Sequence, residues 1–392
     1  MSGQVTQSVT TDSRLTSSIG FEFRLDDVRS LSDEELQRLF AKMVAKSDFR
    51  LVKQGFRAFS AKLLAQGLIE MDDYAAIFGG QAVYQLTVDS DGRFVHAQDG
   101  GDAEALAKRY SLAKYGSVDD IQFFADMIIA TIGAALDDPS SSWRTMFESA
   151  RTNGDQVVMM TTGWRNVPST ANVMYDIVVE QLNVKLAYYH LPTIINVKLP
   201  RIAPPCENYA SLSVEEREMV SATHDHILPD SNFYKNPGVH VIFGDDVLVT
   251  GATADKVYAE TMRHGARSFM AIYPMLVDPI LALTAPETEE MLNTTEVTGQ
   301  HDDIFASVLG HPNYVPILRA LRALLNEENR NDLPDFLSKV PLPNLVRLYV
   351  SALNNNFLSD ARSAPSMDII RQYLIEADML DEQGYCRQGL RA

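Results

Sequence analysis

Apolar positions recur along this chain with two periods, and the switches between them divide it into segments. Near the start, Leu36, Leu39, Phe40 and Met43 repeat at helical spacing behind Ser32 and Glu35. The three-residue separation of that pair is that of a capping box, so a helix is expected from residue 31. Further helices are expected over 53–66, 103–114 and 119–136, and a hairpin over 83–97 turning at Asp91-Gly92. A polar linker follows at 137–142, and from Asp155 the character changes. Val157, Val158, Met159 and Met160 are apolar on both faces, as in a strand buried within a parallel sheet, and they lead straight into Thr161-Thr162-Gly163. An amphipathic helix over 171–182 comes next, then strands over 185–191, 239–243 and 268–273, with a helix over 254–264 before the last. Repeated strand, loop and helix indicate an α/β fold with a parallel sheet.

Beyond residue 285 the pattern is helical again, most clearly over 302–309, 315–326, 345–353 and 367–377, and no internal repeat is evident. The expected organisation is a flexible Ser/Thr/Gln-rich tail (1–18), a mainly helical region with a hairpin (19–150), an α/β core (151–285) and a helical C-terminal region (286–392). The tail has neither the basic start nor the apolar stretch of a signal peptide.

Composition narrows the partners. The chain has 392 residues, 46% of them apolar, enough for a large core and more than one unit. Its formal charge is −18, with no block of five Lys or Arg, so nucleic acid and anionic membranes are poor partners. Cys206 and Cys386 are far apart and have no Cys or clustered His at metal-ligand spacing, which fits a reduced cytoplasm. His224-Asp225-His226 holds good ligands, but an i, i+2 pair needs more from elsewhere; a solvated loop, or a His reaching an anion, is the plainer reading.

The informative run is Val241-Ile242-Phe243-Gly244-Asp245-Asp246-Val247-Leu248-Val249-Thr250-Gly251-Ala252-Thr253. An apolar strand delivers two adjacent acids, and a small-residue turn opens a helix. In an open parallel sheet the ligand crevice lies beyond the carboxyl ends of the strands, where helix N-termini also point. Backbone N–H groups of Gly251, Ala252 and Thr253, with the hydroxyls of Thr250 and Thr253, suit a phosphate monoester. Two carboxylates in the same crevice suit vicinal ribose hydroxyls and Mg²⁺ carried by a pyrophosphate.

This run resembles the binding signature for 5-phosphoribosyl-1-pyrophosphate (PRPP) of type I phosphoribosyltransferases. The resemblance implies that Asp245 and Asp246 hold the ribose 2- and 3-hydroxyls, with Mg²⁺ near them through water or those hydroxyls, and that Thr250, Gly251, Ala252 and Thr253 hold the 5-phosphate. It also implies a pyrophosphate loop after the first strand, which Thr162, Gly163, Trp164 and Arg165 resemble, and a basic contribution after the second strand, from Lys198 and Arg201. Arg165, Asp245 and Asp246 are then the catalytic candidates. The long polar segment 204–237 occupies the place of the family's mobile lid. Within it Tyr209, Ser213 and Glu216-Arg217 also resemble a bacterial subgroup encoded near tellurite-resistance genes. Two positions depart from the family pattern: Gly244 replaces an apolar residue, and Val249 stands where many members carry an acid or a hydroxyl. A mechanism that uses a base at Val249 is therefore in doubt.

The implied activity is Mg²⁺-dependent transfer of phosphoribose from PRPP to a small nitrogen-heterocycle acceptor, with release of pyrophosphate. The acceptor hood is expected from the N-terminal helices, the 273–279 loop or the C-terminal helices, and a homodimer is left open. A PRPP-binding sensor or scaffold without catalysis is the alternative. Other nucleotide or hydrolase chemistry lacks its signatures, since there is no Gly-x-x-x-x-Gly-Lys-Ser/Thr loop and no Gly-x-Ser-x-Gly elbow.

Overall fold

The computed structural model describes residues 14–16, 22–24, 32, 34, 80–201, 228–235, 237–249, 251–278, 281, 285 and 287–387. The expected helix over 53–66, nearly all of that from 31, most of the polar segment 204–237 with His224-Asp225-His226, and Thr250 lie outside these residues. Two compact units divide the chain, Met1–Gly79 and Gly80–Ala392. In the first, β1 (Arg14–Thr16) pairs antiparallel with β2 (Glu22–Arg24), so the expected tail supplies a short strand.

In the second, six strands form one sheet. The expected hairpin is present as β3 (Gly80–Val88) and β4 (Phe94–His96), and Gly92 takes a left-handed φ of 80° in its turn. Asp89 fixes that turn, its Oδ1 accepting the N–H groups of Asp91 and Arg93. The hairpin belongs to the central sheet, because β3 runs parallel to β8 (Ser268–Val277). Around β5 (Gln156–Trp164), β6 (Ile194–Pro200) and β7 (Val239–Gly244), the full order is β4-β3-β8-β7-β5-β6, parallel except for the hairpin.

Helices cover both faces, which is why β5 and β7 are buried along most of their length. Val157, Met159 and Ile242 face α1 (Glu104–Lys114), α2 (Val118–Asp137), α3 (Ser142–Asn153) and α4 (Thr170–Tyr188) in one core. Alternation sends Met160 and Phe243 to the other face. There Met160 meets Tyr234 of α5 (Ser231–Lys235), and Phe243 stacks on Phe269, which meets Tyr258 of α6 (Ala252–Arg263).

Two sequence expectations change. Residues 185–191 do not form the second strand: α4 continues to Tyr188, and the strand is Ile194–Pro200. Val178, Leu182 and Leu186 recur every four residues and are all fully buried, so helical burial decides the stretch. Asn183 then pins the new strand, its Oδ1 accepting Ile194 N–H at 2.6 Å and its Nδ2 donating to Ile194 O at 3.0 Å. The stretch before Asp155, given no element of its own, forms α3, capped by the Ser141 hydroxyl at Arg144 N–H and closed by Gly154 at φ 69°.

The C-terminal region forms α7 (Thr288–Asn293), α8 (Asp303–Gly310), α9 (Leu318–Leu324), α10 (Leu333–Leu337), α11 (Leu342–Asn354) and α12 (Ala364–Glu376); α8, α9, α11 and α12 lie near the expected places, and α7 and α10 add to them. Helices α8 to α12 share a second apolar core, which Tyr115 after α1 and Val167 before α4 join to the rest of the unit. No helix among the described residues is long and apolar enough to cross a membrane.

Candidate functional site at the sheet switch point

The chain leaves β5 through α4 to reach β6 on one side, then returns to place β7 on the other. The strand order therefore reverses between β5 and β7, and a crevice opens beyond their carboxyl ends. A cleft of about 1170 Å³ occupies this place, with the loops of the sheet on one wall and the C-terminal helices on the other.

Asp245 and Asp246 end β7 inside the cleft. Three contacts hold them: the Tyr175 hydroxyl reaches Asp245 O at 3.2 Å, Asp246 N–H donates to Asp245 Oδ1 at 3.0 Å, and Lys114 Nζ meets Asp246 Oδ2 at 2.6 Å. That ion pair is largely removed from solvent, its side chains 16% and 10% exposed. Lys114 also donates to Tyr110 Oη at 3.1 Å and lies 5.5 Å from the centre of that ring. Burial pushes the Asp245 carboxyl up to about 7, with the Asp246 charge adding to it and the Lys114 charge and Asp246 N–H opposing. Tyr110 and Tyr175, fully buried beside the acids, are held well above the ordinary phenol range, chiefly by burial and then by those carboxylates.

Gly244 has a steric reason. A Cβ there would stand 2.6 Å from Cζ of Tyr175, so this ring takes the space that a side chain would need. Val249, 6% exposed and packed in the core, touches the cleft, and its apolar side chain offers no base there. Beyond the acids the chain rejoins the sheet, Leu248 N–H donating to Met275 O at 2.9 Å and its carbonyl accepting Val277 N–H at 3.0 Å. Gly251, at φ 69°, then opens α6 with no side-chain cap, leaving first-turn N–H groups for an anion. Gly251 and Thr253 line the cleft.

The opposite edge is the end of β5. Gly163 takes a φ of 87°, and its strand register shifts between Thr161 and Trp164. Thr162, Gly163, Arg165 and Arg201 line the cleft; Trp164 and Lys198 do not. Lys198 lies within β6, its Nζ 2.7 Å from Asp176 Oδ2 and 5.0 Å from the centre of the Trp164 ring, so both are committed to the outer side of α4. The Tyr273 to Val277 stretch is strand β8 and forms no hood loop, although Tyr273 reaches the cleft.

No protein-family model, curated protein or solved structure matches this chain.

The remaining wall comes from the C-terminal half. Glu289, Glu290, Arg319 and Arg322 line it, and Glu290 grips the Arg319 guanidinium at 3.2 and 3.3 Å. Among the described residues no group of three or more His, Cys, Asp or Glu is arranged to hold a metal ion. Lys114 and Arg319 escaped the sequence reading, since a single basic residue on an amphipathic helix resembles a solvated face.

Proposed function

We propose that this chain is a Mg²⁺-dependent phosphoribosyltransferase, which moves the phosphoribosyl group of PRPP to a nitrogen-heterocycle acceptor and releases pyrophosphate. The observation that carries the reading is convergence: the Thr162-Gly163 turn, the Asp245-Asp246 pair and the Gly251-Thr253 helix start border one cleft at the switch point. Such a cleft has places for the pyrophosphate, the ribose hydroxyls and the 5-phosphate of a single molecule.

In this reading the acceptor nitrogen attacks C1 as the bond to pyrophosphate breaks, through a transition state with oxocarbenium character. Arg165, Arg201 and the turn at Gly163 hold the departing pyrophosphate, and the acids lie beside the positive charge that develops on the ribose. Magnesium supplies further neutralisation of the leaving group. The wall formed by α7 and α9 faces the acceptor.

A second reading, a PRPP sensor or scaffold, is favoured by Val249, whose apolar side chain lines the cleft and leaves no side-chain base at that position. Calorimetric titration with Mg-PRPP, followed by pyrophosphate release across a heterocycle panel, separates the two: an enzyme binds and releases, a sensor only binds. Asp245→Asn with Asp246→Asn should abolish PRPP binding in a chain that still unfolds cooperatively. An unchanged titration would overturn both readings.

A further inference from the structure

Asn172 and Tyr175 lie one turn apart near the start of α4, on one face of the helix, and both are fully buried. Asn172 grips the end of β5. Its Nδ2 donates to Thr161 Oγ1 at 2.7 Å and to Thr162 O at 3.2 Å, while its Oδ1 accepts Ser169 N–H at 2.9 Å. The Ser169 hydroxyl adds a second bond to Thr162 O at 3.0 Å. The Thr162 carbonyl is thereby committed to the helix, so its lone pairs are kept from an anion at the turn.

Tyr175 joins the end of β7 to the middle of β8. Its hydroxyl donates to Ile272 O at 2.5 Å and reaches Asp245 O at 3.2 Å, and its ring fills the space over Gly244. One hydroxyl proton serves two carbonyls on neighbouring strands, which ties Asp245 to β8 through the helix.

We propose that Asn172 and Tyr175 form a two-point clamp that sets the spacing between the Thr162-Gly163 turn and the Asp245-Asp246 pair. Neither side chain lines the cleft, so both are positioning residues. The proposal rests on the PRPP reading of the cleft: a fixed spacing serves a ligand that spans both halves, and a ligand held at one half is indifferent to it.

The test titrates the full chain with Mg-PRPP, inorganic pyrophosphate and ribose 5-phosphate. Tyr175→Phe keeps the ring on Gly244 and removes only the hydroxyl. It should weaken PRPP binding about tenfold and leave the two half-ligands within about twofold of wild type. Asn172→Asp keeps the acceptor for Ser169 N–H and removes the donor to Thr162 O; it should weaken pyrophosphate and PRPP together and spare ribose 5-phosphate. Circular-dichroism melts verify that both variants are folded. Equal losses for all three ligands in Tyr175→Phe, or unchanged PRPP affinity in both variants, overturn the clamp. A wild-type chain that binds none of the three ligands removes the PRPP reading and the clamp with it, whereas binding of PRPP with the wrong variant pattern removes the clamp alone.

Discussion

Lys114→Met is the substitution whose consequences the site defines most sharply. The side chain keeps its length and loses its charge, so Asp246 is left 10% exposed without the ammonium that stood 2.6 Å away. Removing one member of a buried ion pair costs about 3–5 kcal/mol, because the surviving charge stays desolvated. Asp246 borders the cleft, where solvent can reach it, and the lower end of about 3 kcal/mol applies. A second effect falls on Asp245. Burial and the Asp246 charge raise its carboxyl from 3.8 to about 7 while the Lys114 charge opposes them, so in the variant it rises further. An acid whose folded pKa exceeds its unfolded value binds more protons when folded. Its contribution favours the fold at low pH and is lost as pH climbs from about 3.8 to about 7. In Lys114→Met that decline should extend to higher pH. Urea unfolding at pH 5, 7 and 8 of the wild type, Lys114→Met, Asp246→Asn and the double variant measures both effects. The double variant should recover most of the loss, since it strands no charge. A Lys114→Met chain within about 0.5 kcal/mol of wild type, or a double variant no more stable than the single, refutes the reasoning.

Three further outcomes follow from other contacts. Gly244→Ala sets a Cβ 2.6 Å from a buried ring that is tethered through its hydroxyl, and should cost about 1–3 kcal/mol in thermal unfolding; Tyr175→Leu in the same chain should relieve part of it, and a neutral Gly244→Ala would disprove the packing argument. Burial lowers the His240 pKa below 6.5 against the pull of Asp155, so the stability tied to neutral His240 is full above pH 6.5 and declines as pH falls below it; guanidinium unfolding from pH 5 to 7.5 should show that slope in wild type and lose it in His240→Gln. Lys198→Met breaks a partly exposed pair worth about 0–1 kcal/mol and lies off the cleft, so PRPP affinity should stay within about twofold; a large loss would return Lys198 to the pyrophosphate site.

Much of the frame was legible because local chemistry decided it. The hairpin announced itself through Asp91-Gly92, the central strands through apolar runs on both faces, and the acids and the α6 start through their order along one run. The end of α4 was misread because Leu186, Tyr188 and Tyr189 make a short apolar and aromatic run that also suits a strand, whereas the four-residue spacing of Val178, Leu182 and Leu186 acts over a longer window. Local pattern also could not show that β3 pairs with β8, since strand partners are chosen by contacts remote in sequence. Lys198 was misplaced through the same error, because shifting the strand placed it within β6 and beside Asp176.

On the phosphoribosyltransferase reading, sequence leaves the acceptor open, and the make-up of the cleft gives a reason. Single small ligands occupy clefts of about 300–1000 Å³, and this one measures about 1170 Å³. The wall that carries the acids is built from one contiguous run and one turn, so its pattern survives in the linear order of residues. The facing wall draws Glu290 from α7, Arg319 from α9, and further residues from the segment after α11. Each comes from an ordinary amphipathic or polar stretch, and their chemistry exists only once the second core has folded. The Glu290–Arg319 fork, which is also set against the Tyr115 ring at 5.8 Å, gives that wall a fixed donor and acceptor edge. Acceptor preference should therefore change with Glu290→Gln while PRPP affinity does not, a separation measurable by titrating PRPP alone and then ranking acceptors by pyrophosphate release. Loss of PRPP affinity in that variant would mean that the two walls do not divide the labour in this way.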